Sequence, residues 1–375
     1  MSDDAMTAPR SAPGRFGRLY QGLTSFDFVG RRRLWFIASA IVIVVGLGSL
    51  GVKGFNLGID FKGGSSWEIL APNVSISQMT SAVTGAGLSQ PTVEKLGSST
   101  FEVTADLNRL SQTDQVAVTT KVVNAMAHVA HKNPIQVSTS SVGPTWGAGI
   151  TRRALEALIV FFIAVVLYIS VRFEPKMALA AFIAMIHDLL VTVGVFSLFG
   201  FQITPDTVIA LLTILGYSLY DTVVVFDRVR DNASTVLKAG DLSYADMVNL
   251  SMNQTLARSI NTSLVAILPV LAVLIVGAYI LGATTLQNYG LALAVGLFSG
   301  AYSSIFIASP LLSWMKEREP RYRELAERVN SRAERRVLTP ASAAAIAGEG
   351  VTRPMPAGAR GASPVVPRAR KQKRR

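Results

Sequence analysis

LGYSLYDTVVVFDRVRDN, residues 215–232, is apolar except for one acid and then turns abruptly charged. If this is a membrane-spanning helix, Asp221 lies inside it, because VVVF follows before the next charges, Asp227 and Arg228. An acid at the centre of such a helix costs about 2.5–3.5 kcal/mol and normally faces the bundle interior. In a soluble helix the same acid would need no explanation. The rest of the chain decides between the two.

Half of the 375 residues are hydrophobic and only 16% are charged, less than a soluble domain carries. Apolar runs long enough to cross a bilayer core of roughly 30 Å recur six times. They cover 34–52 and about 154–171, 177–199, 206–226, 262–281 and 289–312. The first run is longer than a signal-peptide core and no A-x-A-like site follows it, so it is read as a retained anchor. Arg31, Arg32, Arg33, Arg172, Lys176, Arg228, Arg230, Lys238, Arg258, Lys316 and Arg318 all fall on one side of the membrane. The opposite short loops, 200–205 and 282–288, carry no charge. The positive-inside bias therefore predicts that both termini are cytoplasmic.

This topology divides the chain into a basic N-terminus (1–33), helix 1 (34–52), an extracytoplasmic domain (53–149), helices 2–6 (150–315) and a basic tail (316–375). FNLGIDFKGGSSWEIL alternates like a strand, ISQMTSAVTGAGL has helical spacing and ends in Gly, and PTVEKLG and TFEVTADL form a hairpin around GSS. A second helix, SQTDQVAVTTKVVNAMAHVAH, and a last strand, PIQVSTSSV, complete β-α-β-β-α-β, the ferredoxin-like order. The predicted fold is thus a polytopic α-helical membrane protein of six transmembrane helices, with a small α+β domain between helices 1 and 2. The formal charge of +12 belongs to the two tails. KEREPRYRELAERVNSRAERR has helical spacing, whereas 338–375 is too poor in apolar residues to fold, and its basic residues suit anionic lipid rather than a specific nucleic acid.

Few polar residues stand where chemistry could occur. Tyr217 and Thr213 precede Asp221 by one and two turns and share its face as a polar stripe. His187 and Asp188 sit at the centre of helix 3, about 100° apart, so they cannot both face one partner. Each has a structural alternative, a hydrogen bond between helices. Arg258, near the start of helix 5, is either a snorkelling interfacial residue or the counter-ion of Asp221. Glu156 and Asp206 are read as interfacial.

Several classes are excluded. The chain has no Cys, hence no disulfide, thiolate metal site or thiol catalysis. His128 and His131 lack a third ligand, so no metal is expected, and no P-loop or dinucleotide motif implies a cofactor. Tyr220-Asp221 matches half of an intramembrane aspartyl protease signature, but no second helix carries the partner GxGD. No enzymatic activity is expected.

GIDFKGG (58–64), SVGPTWG (141–147), RFEPK (172–176), HD (187–188), GYSLYDTVVVFDRVRDN (216–232), NQTLARS (253–259) and SSIFIASPLL (303–312) occur in an order that resembles the SecD/SecF family of protein-export membrane proteins, within the RND superfamily. Tyr220 departs from the Asn often found there. The resemblance implies a SecF-like half in the bacterial cell membrane that pairs with SecD, beside the SecYEG channel and the SecA motor. Such a protein uses the proton-motive force to promote preprotein translocation and release. It also implies that Asp221 and Arg258 form a proton relay, with Asp188 and His187 as a second candidate pair. Two rivals stand beside it: a half-size RND exporter of small molecules or lipids, and a non-transporting translocon scaffold.

Overall fold

A computed structural model describes residues 24–97, 99–235, 242–280 and 284–331. Both tails beyond these residues, including the basic stretch 338–375, lie outside them. Six of its helices are long and apolar enough to cross a membrane. They are α1 (Arg32–Lys53), α5 (Pro144–Arg172), α6 (Pro175–Phe199), α7 (Pro205–Thr235), α8 (Tyr244–Ala272) and α9 (Thr284–Ser303). The last two continue through π-helical segments, Val273–Ile280 and Ser304–Ala308. After the second of these come α10 (Ser309–Lys316) and the amphipathic α11 (Pro320–Ser331). The shorter α2 (Ile59–Lys62), α3 (Ile76–Gly85) and α4 (Gln112–Val129) belong to the domain between α1 and α5.

That domain holds strands β1 (Gly64–Leu70), β2 (Thr92–Leu96), β3 (Thr100–Ala105) and β4 (Ser138–Val142), in the order β2-β3-β1-β4 and antiparallel throughout. The β-α-β-β-α-β reading therefore holds. Alternation puts Trp67, Ile69, Phe101 and Val103 on one face, where they meet Met79 and Val83 of α3 and Val122 and Met126 of α4 in one core. Burying each such side chain contributes roughly 1.5–3 kcal/mol. Ser75 and Ser111 cap the two helices by accepting from the amides of Gln78 and Asp114.

Several boundaries differ from the sequence reading. GIDFKGG is not strand: Ile59–Lys62 forms a helical turn, and Gly63 (φ 76°) and Gly64 (φ 128°) redirect the chain into β1. Helix α5 starts at Pro144, about ten residues before the apolar run, because Pro at the first position is preset for a helix. Helices α7 and α8 extend well past the apolar runs at the end carrying Asp227 and Tyr244. The helix expected from Lys316 onward is broken at 317–319 and resumes at Pro320.

Within the bundle α9 is the most enclosed helix and α1 and α5 the least. Small residues permit this crowding. A Cβ on Gly296 would meet the Ile214 side chain at 2.2 Å, and one on Gly300 the Ser218 Cβ at 3.0 Å. Gly296, Gly300, Ser304 and Ala308 recur every fourth position, the small-xxx-small pattern of closely packed membrane helices. Gly46 and Gly194 do the same for α1 against α6, where either Cβ would strike the other's backbone within 3 Å.

The two ends of the bundle are built differently. At the end away from the domain, ion pairs tie separate elements together: Arg172–Asp227 at 3.0 Å, Lys176–Glu319 at 2.9 Å, Arg32–Glu317 at 2.6 Å, and Lys316–Glu174, with Arg230 also 3.1 Å from Asp227 within α7. Asn249 and Asn253 grip residues 26–29, accepting from the amides of Phe26, Phe28 and Val29 and donating to Asp27 and to the Phe26 carbonyl. At the domain end, Leu57 forms a bridge with Ile203, and Asn56 donates to Glu94 and to the Gly200 carbonyl.

Candidate functional site

The polar residues predicted inside the membrane fall into two neighbouring groups. Asp188 on α6 is fully buried. Its Oδ2 accepts from Ser218 Oγ on α7 at 2.5 Å and from Ser303 Oγ on α9 at 2.7 Å. Its Oδ1 accepts from Ser299 Oγ at 2.7 Å and lies 3.1 Å from His187 Nδ1. All four acceptor positions of an ionised carboxylate are thereby occupied. The other ring nitrogen of His187 meets Ser39 Oγ of α1 at 3.1 Å, and Tyr302 Oη, 3.2 Å from Ser39 Oγ, donates to the Trp35 carbonyl. So His187 and Asp188 do reach different helices, as their 100° separation requires, while touching each other.

Asp221 on α7 is buried too, 2% exposed, but it has far fewer donors. Ser304 Oγ donates to its Oδ2 at 2.9 Å. Ser259, Thr262 and Arg258 of α8 stand around it. The Thr262 hydroxyl is engaged with the carbonyls of Arg258 and Ser259, and Ser259 Oγ is buried without a partner among the described residues. Tyr217, one turn along α7, also buries an unpartnered hydroxyl, whereas Thr213 is exposed and donates to its own helix at Ile209. The stripe 213–217–221 thus runs from the bundle surface to its interior. Arg258 is exposed and forms no ion pair with Asp221.

The serines were not singled out by the sequence reading, although their signal was present. Ser299, Ser303, Ser304 and Ser309 stand within one apolar helix at spacings of four, one and five. The pair Ser303–Ser304 links both acids: adjacent residues serve Asp188 and Asp221 respectively. Glu156 pairs with Arg152 at 2.8 Å on an exposed stretch of α5, and Asp206 lies in the first turn of α7. No group of three metal-ligating side chains exists among the described residues, His128 and His131 included.

Outside the bundle a third buried acid appears. Glu68, Glu102 and Glu94 are directly opposed on β1, β3 and β2, on the sheet face away from α3 and α4. Like charges so placed disfavour one another. Burial, and then the neighbouring Glu68 and Glu94, push the Glu102 carboxyl up to about 7, against the Ser66 hydroxyl that donates to it at 3.0 Å. Glu94 is also raised, by burial, despite its bond from Asn56. Gln202, from the connection between α6 and α7, lies against Glu102, so this row sits where the domain meets the bundle.

Comparison with known proteins agrees with this architecture. Residues 121–318 match the family model described as protein export membrane protein SecD/SecF, C-terminal, and residues 48–69 match the SecD/SecF GG motif. The chain is 40% identical over 335 residues to the protein translocase subunit SecF of Streptomyces coelicolor, covering 89% of this chain and 88% of that one. It is 41% identical over 323 residues to the SecF subunit of Mycobacterium tuberculosis, covering 84% and 72%. Its fold superposes with a TM-score of 0.70 on the crystal structure of SecDF, a translocon-associated membrane protein from Thermus thermophilus, at 33% identity over 79% of this chain and 39% of that one. The chain belongs to the SecF family of protein-export membrane proteins.

Proposed function

We propose that this multi-pass membrane protein is an accessory subunit of Sec protein translocation that draws on the proton-motive force. Asp221 is the acid that takes up and gives up the proton. The single observation that carries this is its setting: a carboxylate buried at membrane depth with one hydroxyl donor, beside two buried hydroxyls that lack partners. Such a group gains from a change of charge or of partners, whereas a carboxylate with all its acceptors filled does not. One charge moved through 100 mV supplies about 2.3 kcal/mol, enough to shift a balanced equilibrium nearly fiftyfold.

Arg258 acts in a second state. It is the nearest basic side chain on the facing helix, and a rotation of α8 would bring it toward the ionised acid. Asp188 and His187 hold the helices together rather than carry the proton. The partner is a SecD-like half, in keeping with the fused SecDF relative, and the complex works beside SecYEG and SecA in the bacterial cytoplasmic membrane. The ion-paired end of the bundle, with both termini, faces the cytoplasm, and the α+β domain faces outward to meet emerging preprotein. A domain of about 97 residues leaves little room for the substrate cavity of an RND small-molecule exporter.

The test is preprotein translocation into inverted vesicles containing the complex with Asp221→Asn, with and without a proton gradient, at saturating ATP. The expected outcome is loss of the gradient-dependent part. Full gradient dependence in a normally assembled Asp221→Asn complex would refute the relay and leave the scaffold reading. Arg258→Ala is expected to lose the same part, and Arg258→Lys to recover some of it, since charge is kept while the planar fork is lost.

A further inference from the structure

We propose that Ser304 is a positioning residue that converts the charge state of Asp221 into a change of helix geometry, with Ser303 as the fixed point beside it. This rests on Asp221 being the acid that is charged and discharged.

Three observations meet at this residue. First, Ser303 and Ser304 are consecutive and fully buried, yet they bond to acids on different helices, Asp188 of α6 and Asp221 of α7. Second, the Ser304 hydroxyl has two acceptors within reach, Asp221 Oδ2 at 2.9 Å and the Ala301 carbonyl at 3.3 Å. A hydroxyl carries one proton to donate and can also accept. With Asp221 ionised, Ser304 donates to it. With Asp221 protonated, the acid's own O–H donates to the Ser304 oxygen, and the Ser304 proton turns to the Ala301 carbonyl. The only proton gained or lost is that of Asp221, so the bond reverses without a further transfer.

Third, Ser304 begins the π-helical segment Ser304–Ala308, and its carbonyl accepts from the hydroxyl of Ser309 at 3.2 Å. A π segment inside an α-helix is a local excess of one residue per turn, and it marks functional sites more often than chance. It has a discrete alternative, the regular turn, in which everything beyond it would rotate. Before the segment the helix is anchored: Ser299 and Ser303 both bond to Asp188. Beyond it lies α10, whose Lys316 pairs with Glu174 at the start of α6. Reversal of the Ser304 bond therefore acts at the junction between a pinned half of the last transmembrane helix and a half that ends in ion pairs at the opposite bundle surface.

The experiment is gradient-stimulated preprotein translocation in inverted vesicles, read as the ratio of rates with and without a proton gradient across a range of pH. The variants are Ser304→Ala, Ser304→Thr and Asp221→Asn in the complete complex. Losing one hydrogen bond to a charged group corresponds to about tenfold. Ser304→Ala is thus expected to cut the gradient-dependent stimulation by about that factor and displace its pH profile, while Ser304→Thr, which keeps the hydroxyl, restores most of both. If Ser304→Ala assembles poorly, Ser304→Cys, similar in size but a weak donor, carries the same expectation. An unchanged ratio and pH profile in Ser304→Ala, with Asp221→Asn inactive, would overturn the role of Ser304 and leave that of Asp221 standing. An unchanged ratio in Asp221→Asn as well would overturn both.

Discussion

Asp188 and Asp221 are both buried acids of the same bundle, served by neighbouring serines of one helix, yet their surroundings are opposite. Asp188 accepts three hydroxyl bonds and touches an imidazole, whereas Asp221 accepts one hydroxyl bond and borders the Ser259 and Tyr217 hydroxyls, neither of which has a partner at hydrogen-bond distance among the described residues. Burial therefore does not by itself separate a structural acid from a working one. On the function proposed above the number of donors already committed does, because a proton entering a fully occupied carboxylate must displace a donor from one of its acceptor positions. Asp188 is a strut between α6, α7 and α9, and Asp221 is a group with room to change partners.

The sharpest way to break this contrast is to remove each acid in turn. Asp188→Ala takes the buried acceptor from Ser218, Ser299 and the His187 ring and leaves Ser303 only the Gly300 carbonyl, at a cost of about 3–5 kcal/mol. Asp221→Ala leaves the Ser304 hydroxyl the Ala301 carbonyl and costs about 1 kcal/mol. Thermal unfolding of the detergent-solubilised chain should show a much lower midpoint for the first than for the second. Equal losses would mean that donor count does not distinguish the two.

Glu102 offers the comparison a third case: an acid buried among other acids rather than among hydroxyls. Its carboxyl stands at about 7 against an ordinary 4.5, so the folded domain holds this proton more tightly than the unfolded chain does. Stability from this group is then complete below pH 4.5, declines as pH rises toward 7 and is gone above it, by up to about 3 kcal/mol. Glu102→Gln keeps the shape and an acceptor for Ser66 while abolishing the charge. Urea unfolding of the domain at pH 5 and pH 8 should differ less in the variant than in the parent chain, with the variant more stable at pH 8. A parent chain equally stable at both values would show that Glu102 does not titrate in this window.

How far this contrast could be read in advance depends on the range of the forces involved. Six spans, the β-α-β-β-α-β domain and the depth of Asp221 follow from hydropathy, period and turn residues, which act locally along the chain. The position of Asp188 at membrane depth was equally legible. Its saturation was not, because Ser218, Ser299 and Ser303 reach it from two other helices, and sequence spacing says nothing about which faces meet. Hydropathy also cuts helices α7 and α8 short at one end, since their charged extensions are held by tertiary contacts such as Arg172–Asp227 and the Asn249 grip on residues 26–29. The GIDFKGG turn is hidden in the sequence for another reason. Gly58, Gly63 and Gly64 allow a helical turn and a sharp reversal where the alternation of Ile59 and Phe61 imitates a strand.

A smaller effect is expected from thinning the strut by one donor. Ser299→Ala leaves Asp188 with Ser218, Ser303 and His187, so about 1.5 kcal/mol should be lost, half or less of the Asp188→Ala cost. Gradient-dependent translocation should persist if the strut is only a strut. A Ser299→Ala protein that kept its stability but lost coupling would move Asp188 from the structural side of the comparison to the working side.

The smallest effect falls on the other side of the contrast. The buried Tyr217 hydroxyl has no partner at hydrogen-bond distance among the described residues, so that group adds little to the bundle as it stands. Tyr217→Phe should therefore leave thermal stability within about 0.5 kcal/mol of the parent, or raise it slightly, because an unsatisfied polar atom is removed while the ring remains. The informative measurement is coupling in the same variant. If the Tyr217 hydroxyl is held in reserve for Asp221 in its other charge state, gradient-dependent translocation falls while stability does not. A variant unchanged in both would place the exchange of partners with Ser304 and Ser259 alone, on the side of Asp221 that faces α8 and α9.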